Sequence, residues 1–190
     1  MSQKERQTLA VLVNNESGVL SQVSRLFSRK GYNIESLAVG TTDDPEISRI
    51  TIEVYTDTEH IELLCNQLRK LFPVHSVKLL DRQHSIRREL VLIKVRALDS
   101  TVRSEIIQIA NIFRASVIDV SVSSLTLAII GDEGKIDGIQ QLLEHHGIME
   151  LVRTGVIALE RGSFMIDEET KEKGEFNYGK NVLYKNAFNL

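Results

Sequence analysis

The stretch that decides the fold lies at residues 8–37 and reads TLAVLVNNESGVLSQVSRLFSRKGYNIESL. Its first six residues are mostly apolar and rich in β-branched side chains, which indicates a buried strand. The apolar period then changes, because Leu20, Val23 and Phe27 are spaced three and four residues apart, as one face of a helix requires. Gly31 follows as a left-handed helix cap. The segment therefore predicts a strand, a helix and the start of a second strand.

This pattern continues through a turn, a second strand pair and another helix. The residues Thr-Asp-Asp-Pro at positions 42–45 are typical of a turn between two strands. The next strand alternates, with Ile50, Ile52 and Val54 expected on the core face. A second helix carries its apolar residues on one side, namely Ile61, Leu64, Cys65, Leu68 and Leu71. With a last strand at residues 74–80, the predicted order is βαββαβ.

The same order repeats in the second half of the chain. Strands are predicted at residues 90–95, 117–122, 125–130 and 148–159, the last with a bulge at Gly155. The two helices between them have apolar faces made of Val102, Ile106, Ile109, Ala110 and Phe113, and of Ile136, Ile139, Leu142 and Leu143. Phe113 is expected to hold the helical position that Phe27 holds in the first half.

A repeated βαββαβ order predicts an α+β chain of two consecutive ferredoxin-like units, each an antiparallel sheet with two helices on one face. We divide the chain into a first unit at residues 7–82, a linker at 83–89, a second unit at 90–161 and a tail at 162–190. The tail is polar and charged at first, with some apolar residues near its end. Two interpretations of it stay open, a mobile tail and an arm that docks on a neighbouring subunit.

Composition excludes several classes of protein. Hydrophobic residues make up 42% and charged residues 26% of the chain, a balance typical of a folded protein. The net charge of −3 gives no general attraction for nucleic acid or for a membrane surface. The N-terminus has no apolar signal-peptide core, and no segment reaches the ~20 apolar residues that a membrane span needs. Because Cys65 is the single cysteine, a cytoplasmic protein is expected.

Residues that could carry catalysis or hold a metal are poorly arranged in the sequence. The histidines are His60, His75, His84, His145 and His146. The adjacent pair cannot share one helix face, since chelating pairs on a helix are spaced four residues apart. Cys65 falls on an apolar helix face and is expected in the core rather than as a nucleophile. Since no glycine-rich phosphate loop is present either, we predict neither a catalytic site nor a metal site.

The loop between the first strand and the first helix is the most informative segment for function. The free backbone N–H groups at a helix start attract a carboxylate, and Gly18 removes the side chain at the point of approach. Asn15 and Asn33, on either side of the helix, can each donate and accept hydrogen bonds, as a zwitterionic amino acid requires. The alternative is structural, with Asn15 as a cap or turn residue and Gly18 as a tight turn.

Several motifs resemble those of a known family. The segments Asn-Glu-Ser-Gly-Val-Leu at 15–20 and Gly-Tyr-Asn-Ile-Glu-Ser at 31–36 are similar to the ACT domain, a small amino-acid-binding module of βαββαβ form. Together with the segments at 42–51, 111–120 and 153–156, they resemble the acetohydroxyacid synthase (acetolactate synthase) small subunits. The resemblance covers roughly residues 7–162, and the tail beyond it is a departure from the family.

The resemblance implies a regulatory subunit without its own active site. Its partner would be a catalytic large subunit that uses thiamine diphosphate, Mg²⁺ and FAD. The small subunit would activate that partner and confer feedback inhibition by valine or a related branched-chain amino acid. It also implies a homodimer, with the effector site between two ACT domains. The effector-binding residues would be Asn15, Gly18, Val19, Leu20, Asn33 and Ile34.

Two other functions compete with this one. The chain could be a free ACT-type regulator of a different metabolic enzyme or of transcription, although no helix-turn-helix or basic recognition helix is visible. It could also be a small enzyme on a ferredoxin-like fold, because fold does not determine function.

Overall fold

A computed structural model describes residues 4–166 and begins with a four-stranded unit. Its elements are β1 (Glu5–Asn14), α1 (Val19–Lys30), β2 (Ile34–Thr41), β3 (Ile47–Thr56), α2 (Thr58–Arg69) and β4 (Val74–Leu80). The strand order is β2-β3-β1-β4, and every neighbouring pair is antiparallel. This order places β2 and β4 at the two edges of the sheet.

The second unit repeats this arrangement and adds one strand. Its elements are β5 (Ser85–Arg96), α3 (Ser100–Ile112), β6 (Ser116–Val120), β7 (Ser124–Gly131), α4 (Glu133–Glu144), β8 (Ile148–Arg153) and β9 (Ile157–Glu160). The strand order is β6-β7-β5-β8, and β9 pairs with the first residues of β5. The prediction of an α+β chain with two ferredoxin-like units is confirmed. None of the helices in the described part is long and apolar enough to cross a membrane.

Each unit has its own hydrophobic core between its sheet and its helices. The first core contains Phe27 from α1 and Leu64 from α2 against Leu9 and Ile52 of the sheet. The second is built in the same way around Ile93. Each fully buried side chain of this size contributes about 1.5 to 3 kcal/mol. The two cores therefore stabilise the two units separately.

The predicted helix faces are correct in part. In α1 the buried stripe is Val19, Val23, Leu26 and Phe27, while the side chain of Leu20 is 42% exposed. Gly18 caps the helix, so the periodic stripe starts at Val19 rather than at Leu20.

The same kind of error occurs in the second unit. Leu142 of α4 is exposed, whereas Ile136, Ile139 and Leu143 are buried. Phe113 is the C-terminal cap of α3 and only partly buried, whereas Phe27 lies inside α1 in the core. Helix phase was therefore harder to predict than helix position.

The predicted linker at residues 83–89 is largely strand. β5 begins at Ser85, and its first four residues pair with β9. The polar residues of this segment resemble a linker because they have polar partners instead of an apolar core, with Arg87 against Glu53 of the first unit and Glu89 against Arg153 of β8. The single strand predicted at residues 148–159 is two strands, β8 and β9, and Gly155 lies in the turn between them with φ +82° instead of forming a bulge.

The tail predicted at residues 162–190 lies mostly outside the described residues. Its first part is described as far as Ile166, which packs against Ala10, Leu80 and Ala158 between the two units. The two interpretations of the rest of the tail stay predictions.

Candidate functional site

The start of α1 is open, as the amino-acid-binding hypothesis requires. Gly18 is the N-cap residue with φ +86°, and no side chain of residues 4–166 caps the first N–H groups of the helix. A Cβ on Gly18 would have none of the described atoms within 4 Å outside its chain neighbours. The N–H of Val19 donates to the Glu16 carbonyl at 3.5 Å. The donors of the next residues and the positive end of the helix dipole are therefore what a small anion would meet.

Asn15 has a structural role, but it is not the cap of α1, because that position belongs to Gly18. Its side-chain Nδ2 donates to the carbonyl oxygen of Pro45 at 2.9 Å, and its Oδ1 accepts from Ser48 Oγ at 3.0 Å. Its backbone N–H donates to the carbonyl of Glu46 at 2.7 Å. Asn15 thus ties the loop before α1 to the turn between β2 and β3. An amide has two N–H donors and two oxygen lone pairs, so one of each stays available to a ligand.

Asn33 and Ile34 lie at the opposite end of α1. Asn33 is exposed and donates through Nδ2 to Glu35 Oε1 at 2.8 Å, and Ile34 is the half-buried first residue of β2. A helix of 12 residues is about 18 Å long at a rise of about 1.5 Å per residue. One chain therefore does not bring Gly18 and Asn33 together.

Two further predicted residues, Val19 and Leu20, follow Gly18 in the first turn of α1. The side chain of Val19 is in the core, and its backbone N–H donates to the Glu16 carbonyl at 3.5 Å. The side chain of Leu20 is exposed beside the open helix start. The six predicted residues hence form two groups, with Asn15, Gly18, Val19 and Leu20 at one end of α1 and Asn33 and Ile34 at the other.

A charged junction lies between the two units and was not predicted from the sequence. A cavity of about 840 Å³ lies there. The charged residues around it are Arg6, Arg82, Arg87, Arg88, Arg153 and Arg161, and Glu35, Glu53, Glu89, Asp132, Glu133 and Asp137. Most of these charges pair across the cavity wall, as Arg6 and Arg82 do with Glu133. The balance of charges gives the cavity no preference for either ion sign.

Buried charges hold the middle of this junction. Arg87 of β5 contacts Glu53 and Thr8 of the first sheet, and burial lowers the pKa of the Arg87 guanidinium while Glu53 opposes that shift. Glu89 bonds Arg153 at 3.1 Å, and burial raises the pKa of the Glu89 carboxyl although Arg153 acts in the opposite direction. Arg87 therefore joins the two units, whereas the Glu89–Arg153 pair links β5 to β8 within the second unit.

Three of the residues considered for catalysis have ordinary structural roles. Burial raises the pKa of the Cys65 thiol to about 12, so the reactive thiolate is not formed near neutral pH. His60 pairs with Asp57 at 2.7 Å in the first turn of α2, and His84 pairs with Asp81 at 3.2 Å. Within residues 4–166 no group of three or more His, Cys, Asp or Glu side chains is placed to hold a metal ion.

Comparison with known families gives two matches along the chain. A family model described as an AHAS small subunit-like ACT domain matches residues 9–76. A second, described as the small subunit of acetolactate synthase, matches residues 88–162.

Individual relatives agree with these models over most of the chain. The acetolactate synthase small subunit of Mycobacterium bovis is 47% identical over 155 residues, covering 82% of this chain and 92% of the relative. That of Haemophilus influenzae is 46% identical over 158 residues, covering 83% and 96%. The crystal structure of the acetolactate synthase small subunit from Thermotoga maritima superposes with a TM-score of 0.78 at 35% identity, covering 84% of this chain and 99% of that one.

Proposed function

Because this chain belongs to the family of acetolactate synthase small subunits, we propose that it activates a catalytic large subunit and confers feedback inhibition by valine or a related branched-chain amino acid. The chain itself performs no chemistry in this proposal. Thiamine diphosphate, Mg²⁺ and FAD are carried by the large subunit.

The observation that carries the proposal is the separation of the two residue groups by the length of α1. A ligand that uses both groups must take one from each of two chains. β2 is suited to join two chains, because among residues 4–166 no strand pairs with its edge opposite β3. Exposed strand edges are templates for pairing with a second copy.

Antiparallel pairing of two β2 strands would bring the two groups together. Such pairing sets the start of one β2 beside the end of the other. Asn15 is bonded to the turn that follows β2, so the open start of α1 lies at this same end. Asn33 of one chain then lies near Gly18 of its partner. By symmetry the dimer has two equivalent sites.

The chemistry of these groups fits a branched-chain amino acid. The ligand carboxylate is bound by the free N–H groups of α1 beside Gly18. The free lone pair of the Asn15 amide and that of Asn33 accept from the ammonium group. The exposed side chain of Leu20 and the half-buried Ile34 provide apolar contacts for an aliphatic side chain.

Inhibition then follows from differential binding. A ligand that binds the less active arrangement of the assembly more tightly shifts the population toward it, and the usual coupling of about 1 to 3 kcal/mol corresponds to roughly 5- to 150-fold.

Reconstitution with the catalytic subunit tests the proposal. Acetolactate formation is measured for the large subunit alone, for this chain alone and for the mixture, each with and without valine, leucine or isoleucine. We expect activity to rise on mixing and to fall again with at least one of the three amino acids. Turnover by this chain alone would contradict the regulatory assignment. Failure to activate, together with co-purification of a different enzyme, would favour a free ACT-type regulator.

A further inference from the structure

The turn between β8 and β9 touches the edge strand of the first unit. The backbone N–H of Val156 donates to Ser36 Oγ at 2.8 Å, and this contact is partly buried. Ser36 lies at the bulge of β2, where the pairing with β3 slips between Ile34 and Ser36. The second unit is thus bonded directly to an irregular position of β2.

Gly155 permits this close approach. A Cβ on Gly155 would lie 2.9 Å from Ser36 Oγ and 3.0 Å from the carbonyl oxygen of Leu37. Its φ of +82° is also in the region that favours glycine. A larger residue would have to move the turn away from β2.

The turn is firmly attached to the second unit. Thr154 exchanges two hydrogen bonds with Leu90 of β5, from its N–H to the Leu90 carbonyl and from the Leu90 N–H to Thr154 Oγ1, each at 3.1 Å. Arg153, the preceding residue, pairs with the buried Glu89. A displacement of the turn is therefore a displacement of β5 and its sheet.

On the other side, the bulge of β2 is connected to the proposed effector site. Glu35, the extra residue of the bulge, accepts the hydrogen bond from Asn33. A ligand that engages Asn33 acts on a side chain bonded to the bulge, one residue from Ser36. The chain of contacts runs from Asn33 through Glu35 and Ser36 to Val156.

We infer that the contact of Ser36 with Gly155 and Val156, here called the β2 joint, transmits amino-acid binding to the second unit. This inference rests on the proposed function, since it takes the ligand site from it. The joint has two arrangements, and bound ligand favours one of them. Regulation of the catalytic partner therefore passes through the second unit, not through the first unit alone.

Other contacts hold the two units together without the joint. Arg49 of β3 donates to the carbonyl of Ala158 at 2.7 Å, and Lys78 of β4 pairs with Glu160. Both lie on strands other than β2. Loss of the Ser36 hydroxyl should hence leave the units assembled and the chain folded.

The test compares Ser36→Ala and Gly155→Ala with a matched control, Gly162→Ala. Gly162 also has a positive φ, +76°, but a Cβ there would meet only Phe164, at 3.9 Å, among the described residues. Valine binding is measured by calorimetry on the purified chain, and activation and inhibition are measured on the reconstituted synthase. Hydrogen exchange follows the Val156 amide with and without valine.

We expect Ser36→Ala to change the valine Kd of the purified chain by less than about threefold. Saturating valine should nevertheless leave at least about half of the activity of the synthase reconstituted with this variant. Gly155→Ala should act in the same direction, and Gly162→Ala should behave as the parent. In the parent, valine should alter exchange at Val156. The inference would be overturned if valine still inhibited both joint variants completely and did not alter hydrogen exchange at Val156 in the parent. A parent chain that neither binds valine nor responds to it would instead overturn the proposed function, and the joint with it.

Discussion

Arg87 and Glu53 face each other across the junction of the two units, with Nη1 3.3 Å from Oε1 and only 4% of the Glu53 side chain exposed. Thr8 completes the contact, because its hydroxyl donates to Glu53 and accepts from Arg87. A polar cluster of this kind adds directed bonds to the apolar contact of Ala10, Leu80 and Ala158, and so sets the relative position of the units.

Removal of Arg87 should therefore weaken the junction. Arg87→Met leaves the buried Glu53 carboxylate without its cation, at a cost on the order of 3 kcal/mol in the free energy of unfolding. Arg88→Met is the matched control, because Arg88 is exposed and should change that free energy by less than about 0.5 kcal/mol. Urea denaturation measures both variants. If Arg87→Met and Arg88→Met were equally stable, the Arg87–Glu53 pair would contribute nothing to the free energy of unfolding.

Glu89 should make stability depend on pH. Its folded-state pKa is raised, mainly by burial, so its protonated form favours the folded state. The stability that the protonated Glu89 contributes is fully present below the ordinary glutamate pKa of about 4.5. It is lost as the pH rises through the folded-state pKa of Glu89. Relative to Glu89→Gln, the parent should hence lose stability between acidic and neutral pH. Denaturation curves at several pH values measure this, and a difference that is constant or of opposite sign contradicts it.

Gly18→Asp should abolish feedback inhibition and preserve activation. The new carboxylate would stand where the ligand carboxylate binds, and like-charge contact in a partly desolvated site costs on the order of 1 to 3 kcal/mol, or roughly 5- to 150-fold in affinity. Gly18→Asn is the control, since it shares the strain of a positive φ and the added volume without the charge. Valine titrations of the reconstituted synthase compare the two. If Gly18→Asp leaves the inhibition curve unmoved, the effector site is elsewhere.

Valine should strengthen dimerisation, because a ligand shared between two chains stabilises the dimer by mass action. Sedimentation velocity at micromolar concentration measures the dimer fraction with and without valine. Val39→Pro tests whether the dimer forms through the edge of β2. Proline removes a backbone donor from this exposed strand and should lower the dimer fraction. A parent chain that stays monomeric, unchanged by valine, would contradict the shared site.

Local pattern was enough to predict most of the fold. The strand at residues 74–80 has the predicted bounds, and the left-handed cap at Gly31 is confirmed with φ +73°. Helix phase was less certain, because Val19 and Leu20 are neighbours of similar hydrophobicity and the stripe depends on where Gly18 starts the helix. The first residues of β5 were mistaken for a linker because Ser85 and Glu89 are buried against polar partners, so the segment has no apolar period.

The candidate site could be predicted only by residue type. The pairing of Asn15 with Pro45 and Ser48 joins positions 30 and 33 residues apart, so a local motif cannot contain it. The contact between Ser36 and Val156 spans 120 residues and depends on how the two units pack. Such long-range contacts are products of tertiary structure, and sequence spacing has no information about them.

The length of α1 has a genetic consequence. In the proposed dimer, each site takes Gly18 from one chain and Asn33 from the other. A chain with Gly18→Asp mixed with a chain carrying Asn33→Ala would form hybrid dimers in which both lesions fall in one site and the second site is wholly of the original type. Two alleles that are each resistant to feedback would then complement each other, and a cell that expresses both would regain partial sensitivity to valine.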